Sequence, residues 1–220
     1  VGVRPGGILA RGPWDVESVE ARWRDVPYAA QLHEEQAADA AIAGLADRGS
    51  PTHDGLGARL ASFETVEDRL VLELEPARWA LRLGSDALDS ISALCAVRDA
   101  EGRWLAGRRA AWVASWPGRW ALGAGGAVEV GESPATTLSR ELEEEWAVQP
   151  ERLSVEALVR SPNGLVLLVG MAHLPVGAEV ERDPEHDAHA WWPADPEQWP
   201  HEADAPLRLM AAMLESRGGR

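Results

Sequence analysis

A chain of 220 residues, 45% apolar and 26% charged, holds enough material for one generous domain or a core domain with a smaller companion, and is not disordered. Its formal net charge is −15 and all 21 basic residues are Arg, so it does not suit a nucleic-acid polymer, which needs a basic surface. It does suit divalent cations, and Arg offers bidentate contacts to phosphate. No stretch reaches the ~18 apolar residues that cross a membrane, and no basic-then-apolar leader opens the chain. The expected location is the cytoplasm. Eleven Trp stand against one Phe and one Tyr, mostly core residues by expectation, with exposed ones as candidate base-stacking surfaces.

In chain order, the Gly/Pro-rich start up to Gly12 reads as loose. Residues 15–24 and 28–47 have helical spacing. Residues 49–57 form a break, with Gly-Ser-Pro and Asp-Gly in it. Residues 59–63, 69–75 and 79–83 read as three strands, and residues 84–89 mark a boundary. Beyond it, 91–97 and 104–109 are strands around the turn at 99–102. The lone Cys95 lies in that apolar run and reads as a buried strand residue, with no partner for a disulfide. A glycine-rich loop is expected at 123–126. A helix follows at 134–146, introduced by Ser133 as N-cap and Pro134 at the first helical position. Strands at 153–160 and 165–174 flank Ser-Pro-Asn-Gly, 189–192 is a short strand, and 206–215 is an amphipathic helix. Strands mixed with helices at unequal spacing predict an α/β or α+β sandwich and not a βαβ array.

The chemistry gathers between Gly126 and Val148. At roughly 100° per residue, Glu141, Glu144 and Glu145 share one helix face. Ala135, Leu138, Leu142 and Trp146 form an apolar stripe beside it, and Glu143 points to solvent. Arg140, four residues before Glu144, flanks the carboxylates. Three like charges on one face repel. With Mg²⁺ or Mn²⁺ they become a hard-oxygen site of the kind that completes its shell with substrate phosphates. Gly125 and Gly126 let backbone approach a diphosphate closely. An acidic solvated face is the plain alternative. Allowing each of six fixed positions about one chance in ten, a chain of this length matches at ~10⁻⁴, so chance explains the pattern poorly.

The spacing resembles the Nudix box, G-x5-E-x7-R-E-U-x-E-E-x-G-U with U aliphatic. Here it runs Gly126, Glu132, Arg140, Glu141, Leu142, Glu144, Glu145, Ala147, Val148, with Gly125-Gly126-Ala127-Val128-Glu129 as a familiar approach. Ala147 stands where the family has Gly, which implies a slightly different exit from the helix and no lost ligand. The resemblance implies an α/β fold, a Nudix α/β/α sandwich with a mixed sheet over residues 89–220. Residues 1–88 are then a smaller α+β region that covers the substrate or builds a homodimer, loosely similar to the extension of UDP-sugar-cleaving relatives. It implies Glu141, Glu144 and Glu145 as metal ligands or base, Glu144, Glu141 and Arg140 as the catalytic residues, Glu132 as a structural residue of the box, and Mg²⁺ or Mn²⁺ as cofactor. The substrate implied is a small nucleoside diphosphate linked to another moiety, such as a nucleotide sugar or ADP-ribose.

Arg108, Arg109, Trp112, Trp116 and Arg119 form the substrate-facing stretch expected outside the box, against plain surface or ion-pair roles. Pro162, fifteen residues past Ala147, resembles ADP-ribose-cleaving relatives and also suits a plain hairpin turn. His33, His53, His173, His186, His189 and His201 make no zinc spacing and read as surface residues. The loop 179–187 can bring a further carboxylate, Glu181 or Glu185. A nucleophile elbow is not visible, and a chain without lysine has no Walker P-loop. Two alternatives stay open. A diphosphate-dependent isomerase would need a protonating Cys or His, and a non-catalytic nucleotide-sugar sensor would tend to lose the box carboxylates that are all present here.

Overall fold

A computed structural model describes residues 6–50 and 54–216. In chain order the strands and helices are β1 (Gly7–Asp15), β2 (Val19–Trp23), α1 (Leu32–Asp47), β3 (Leu56–Val66) and β4 (Arg69–Arg78), then β5 (Ile91–Arg98), β6 (Trp104–Arg109), β7 (Trp120–Leu122) and β8 (Ala124–Ala127). They continue with α2 (Pro134–Trp146), β9 (Arg152–Arg160), β10 (Val166–His173), β11 (His186–Trp192) and α3 (Ala205–Glu215). Among the described residues no helix is long and apolar enough to cross a membrane.

Two sheets result. The larger is mixed and runs β1-β9-β10-β5-β6-β11, with β8 paired to β5 and β7 to β6. Only β10 and β5 run parallel in it. The smaller sheet is β2-β4-β3. Alternation along β5 sorts its side chains between two layers. Ile91, Ala93, Cys95 and Val97 join a core with Leu138, Leu142 and Trp146 of α2, while Ala96 joins Trp104, Trp192, Trp199 and Leu207 beneath α3. The large sheet is therefore covered by a helix on each face, the α/β/α arrangement expected. Leu60, Leu70, Leu72 and Leu74 of the small sheet belong to the α2-side core, so apolar packing continues across residue 89.

Several local expectations are corrected. The start of the chain is not loose over its described part: β1 pairs with β9 from Gly7↔Arg160 to Asp15↔Ser154, and Gly12 and Pro13 fall at a register shift in that edge strand. Residues 1–5 lie outside the described residues, as do 51–53 of the expected break, including His53. Residues 15–24 are not a helix but a 3-10 turn, Val16–Ser18, and β2. Val19, Ala21 and Trp23 alternate toward the core, and β2 pairs in parallel with β4, which overrides a weak helical spacing. Residues 79–83 are a 3-10 turn and not a strand, with Ala80 and Leu81 buried together against Ala38 of α1. The glycine stretch at 123–126 is not a loop. Its last three residues lie in β8, hydrogen-bonded along β5.

The β5–β6 hairpin opens at once, with Arg98↔Trp104 as its paired residues, and the ribbon β7–β8 spans the gap. Gly123 is the crossing point. Its φ is +60°, and its N–H donates to the Leu105 carbonyl at 2.9 Å.

Candidate active site

Helix α2 begins as its sequence dictates. Ser133 Oγ accepts from the Ala135 N–H at 3.3 Å, and Pro134 occupies the first turn. The stripe Ala135, Leu138, Leu142 and Trp146 is buried against the sheet, each side chain contributing about 1.5–3 kcal/mol for the larger members. Trp146 also donates from its indole to the Gly123 carbonyl at 3.0 Å, tying helix to crossing point. At the other end Ala147 takes φ 53° and ψ 37°, so the exit is the left-handed cap that glycine usually forms and not a different one. Ala147→Gly is therefore expected to stabilise the fold by about 1 kcal/mol, raising the melting temperature by roughly 2–4 °C, readable by calorimetry. The last carbonyls of α2 are claimed by the loop before β11: Glu181 N–H donates to Trp146 O at 3.0 Å and Asp183 N–H to Glu145 O at 2.9 Å.

The carboxylate face is unevenly buried. Glu141 and Glu145 are 8% and 4% accessible, whereas Glu144 is exposed, as is Glu143 on the far side. Burial pushes the Glu141 carboxyl up to about 7, with Arg140 opposing and Glu144 adding to the rise. Burial also pushes Glu145 up to about 9, against the pull of Arg109. Glu145 accepts weakly from the Gly125 N–H at 3.4 Å, and Arg109 Nη1 stands 3.8 Å away. For both acids the cost of burial outweighs the cation nearby, Arg140 at 2.8 Å from Glu141 and Arg109 at 3.8 Å from Glu145.

Arg140 is the clamp of the box. Its guanidinium meets Glu132 at 3.0 Å, Glu141 at 2.8 Å and Glu144 at 2.8 Å, and donates to the Ala127 carbonyl at 3.2 Å. Glu132 in turn accepts from Thr137 Oγ1 at 2.8 Å. Burial raises the Glu132 carboxyl, but the Arg140 and Thr137 hydrogen bonds outweigh it and hold the group below its ordinary value. Arg140 and Glu132 thus position the helix against β8 and its loop.

A cleft of about 670 Å³ opens over this face. Glu141, Glu144, Glu145, Arg140, Gly125 and Gly126 line it, together with Arg109 and Trp112 from β6 and the loop after it. Glu185 also lines it, pairing with Arg109 Nη2 at 3.0 Å, so the distal carboxylate of the 179–187 loop is brought to the site. The remaining substrate-facing candidates are not brought there. Arg108 pairs with Asp187 at 2.6 Å, Arg119 pairs with Asp204, and Trp116 lies under the Arg119 guanidinium, all outside the cleft lining. Pro162 sits in the turn between β9 and β10, where Gly164 N–H donates to Ser161 O at 3.0 Å.

Sequence reading missed two features. Trp79 and Arg82 line the cleft from the N-terminal region, hidden by the assignment of 79–83 to a strand. His186 is not a surface residue: it is 1% accessible, its ring 4.7 Å from that of Trp146, its Nδ1 3.1 Å from Asp183. Burial holds the imidazole below its ordinary value. Gly107 was the available signal, since a Cβ there would fall 2.4 Å from the His186 ring.

The donor set suits a hard divalent cation, because Glu141, Glu144 and Glu145 offer oxygen alone and two of them are buried at the cleft. Among the described residues no three acid, His or Cys side chains already converge on one point, so the exposed Glu144 would have to join the buried pair.

The profile of the NUDIX domain matches residues 89–211. Among solved structures, the MutT NUDIX hydrolase from Burkholderia pseudomallei is 24% identical, over 57% of this chain and 97% of that one, with a TM-score of 0.48. The NUDIX domain of Shewanella oneidensis NrtR complexed with ADP ribose is 22% identical, over 56% of this chain and 85% of that one, at 0.45. A C. elegans Ap4A hydrolase binary complex is 18% identical, over 57% and 92%, at 0.44. Comparison with curated proteins gives no match.

Proposed function

We propose that this chain, which belongs to the Nudix family, hydrolyses the diphosphate linkage of a nucleoside diphosphate joined to another moiety, such as a nucleotide sugar or ADP-ribose. Membership supports Nudix-type pyrophosphate hydrolysis in general. The observation that supports the reading is the cleft itself, where the box carboxylates Glu141, Glu144 and Glu145 stand together with Arg109, Trp112 and the glycine backbone of β8.

Glu141, Glu144 and Glu145 would hold Mg²⁺ or Mn²⁺, which when bound polarises phosphoryl oxygens and lowers the pKa of a coordinated water. Glu144, exposed and held by Arg140, receives the proton as water oxygen bonds to phosphorus and the bridging P–O bond breaks with its electron pair on the departing phosphate. The fork of Arg109 and the glycine backbone of β8 face the phosphates, and Trp112 offers a ring face. Cys95 is fully buried in β5 and does not line the cleft, which speaks against it as the acid of an isomerase.

The test is a turnover panel of ADP-ribose, UDP- and ADP-sugars, dinucleoside polyphosphates, NADH and nucleoside triphosphates, with Mg²⁺ or Mn²⁺ and with chelator. Cleavage of at least one, abolished by chelator and restored by the metal, is expected. Tight binding without turnover would favour the sensor, and no cleavage of any member would sink the hydrolase reading.

A further inference from the structure

Part of the cleft wall is made by Leu56, Gly57, Trp79 and Arg82, all outside the family-matched span 89–211. The 3-10 turn Trp79–Leu83 explains why two of these stand together. With three residues per turn, side chains at i and i+3 eclipse, so Trp79 and Arg82 share one side. Ala80 and Leu81 take the other, buried with Ala38 of α1 and Ala77, with Tyr28 and Ile42 packed around them. Helix α1 thus backs the turn and fixes which residues it shows to the cleft.

Arg82 is unusual among the cleft arginines. Arg109 is paired with Glu185, and Arg140 with Glu132, Glu141 and Glu144. Among the described residues no carboxylate lies within ion-pair distance of Arg82; its Nη2 donates to Ser92 Oγ at 2.5 Å, at the start of β5. Burial lowers this guanidinium to about 10, and Glu141 is the acid that acts on it. It remains charged at neutral pH beside the box carboxylates, with donors left for an anion from outside. The guanidinium also lies over the Trp79 ring, 5.8 Å from the centroid, so the two side chains stand side by side at the cleft with no carboxylate partner to displace from the arginine.

We propose that Arg82 and Trp79 form a recognition pair for a nucleoside diphosphate, the guanidinium binding a phosphate oxygen and the indole a flat ring face. This rests on reading the cleft as the diphosphate-cleaving site, yet it concerns binding and is tested by binding. The first ninety residues then carry substrate recognition as well as support.

The experiment is calorimetric titration of ADP in Mg²⁺ into the full chain and into Arg82→Gln, Arg82→Lys, Trp79→Leu and Arg108→Gln, with melting temperatures for each. Arg82→Gln should weaken ADP binding roughly tenfold or more, and Arg82→Lys less, because it keeps the charge and loses the fork. Trp79→Leu should weaken it by about fivefold or more, as loss of a stacking face does. Arg108→Gln, outside the cleft, should bind as the parent does. If Arg82→Gln does not fold, Arg82→Lys and Trp79→Leu decide. Unchanged affinity in the folded variants, or no ADP binding by the parent chain, overturns the proposal. Arg82-dependent binding in a chain that cleaves nothing in the panel upholds it while the hydrolase reading falls.

Discussion

At pH 8, Glu145→Gln should both cut turnover sharply and make the metal-free protein more heat-stable. Glu145 is 4% accessible, and burial pushes its carboxyl up to about 9 from an ordinary 4.5. The folded state thus binds the proton more tightly than the unfolded chain does. Stability that is present at pH 4.5 is lost as pH rises through about 9, because ionising the buried group favours unfolding. Glutamine keeps the shape and stays neutral throughout. The melting temperature of the metal-free variant should therefore change less between pH 5 and pH 9 than that of the parent, and exceed it at the alkaline end. Divalent metal reverses the ranking, since a cation favours the ionised carboxylates and stabilises the state that binds it. The parent should gain more from Mg²⁺ at pH 8 than at pH 6, and the variant should gain little at either. Turnover should fall by roughly 100-fold or more, the scale of removing one charge-stabilising group at a reacting centre. Thermal scans across pH, with and without Mg²⁺, measure all of this. Parallel falls in parent and variant would show that Glu145 is not held as its burial implies.

The box was the most legible part of the chain because its information is local. Ser133, Pro134 and a 3.6-residue stripe are enough to place α2, and the same wheel separates Glu143 from the three carboxylates that reach the cleft. Elsewhere the deciding partner lies far away in sequence. Val19–Trp23 is a strand because β4, fifty residues on, is there to pair with it. The neighbours Arg108 and Arg109 show the limit well. Strand geometry sends adjacent side chains to opposite faces, so only one of the two could reach the site. Which one depends on the register of β6 against β11 and β7, and it is Arg109. Trp79 and Arg82 were illegible for a similar reason: five residues read equally well as a strand, and burial of Ala80 and Leu81 under α1 selects the 3-10 turn. His186 is buried because Gly107 and Trp146 leave a slot for its ring, a fit between elements and not a property of its own Pro/Asp-rich segment.

Two glycines three residues apart should fail in opposite ways when each is changed to alanine. At Gly126 a Cβ would fall 2.0 Å from Glu141 Oε1, the far end of a flexible side chain. The carboxylate can swing aside, so the fold survives while Glu141 leaves the place from which it would meet a metal. Gly126→Ala should keep its melting temperature within a few degrees, lose most turnover, and lose the thermal gain that Mg²⁺ gives the parent. At Gly123 a Cβ would fall 1.9 Å from the Cys95 carbonyl, which is backbone in the central strand β5, and φ is +60°. Neither can relax without opening the crossing between the two halves of the sheet. Left-handed strain and overpacking together should cost about 3 kcal/mol or more, a fall of roughly 6–12 °C. Residual activity of Gly123→Ala should then track its folded fraction. Calorimetry with single-turnover assays at matched folded fractions separates the two: if Gly126→Ala unfolds like Gly123→Ala, its glycine serves packing alone. If it stays folded and inactive, the missing Cβ is what leaves room for a carboxylate at the reacting centre.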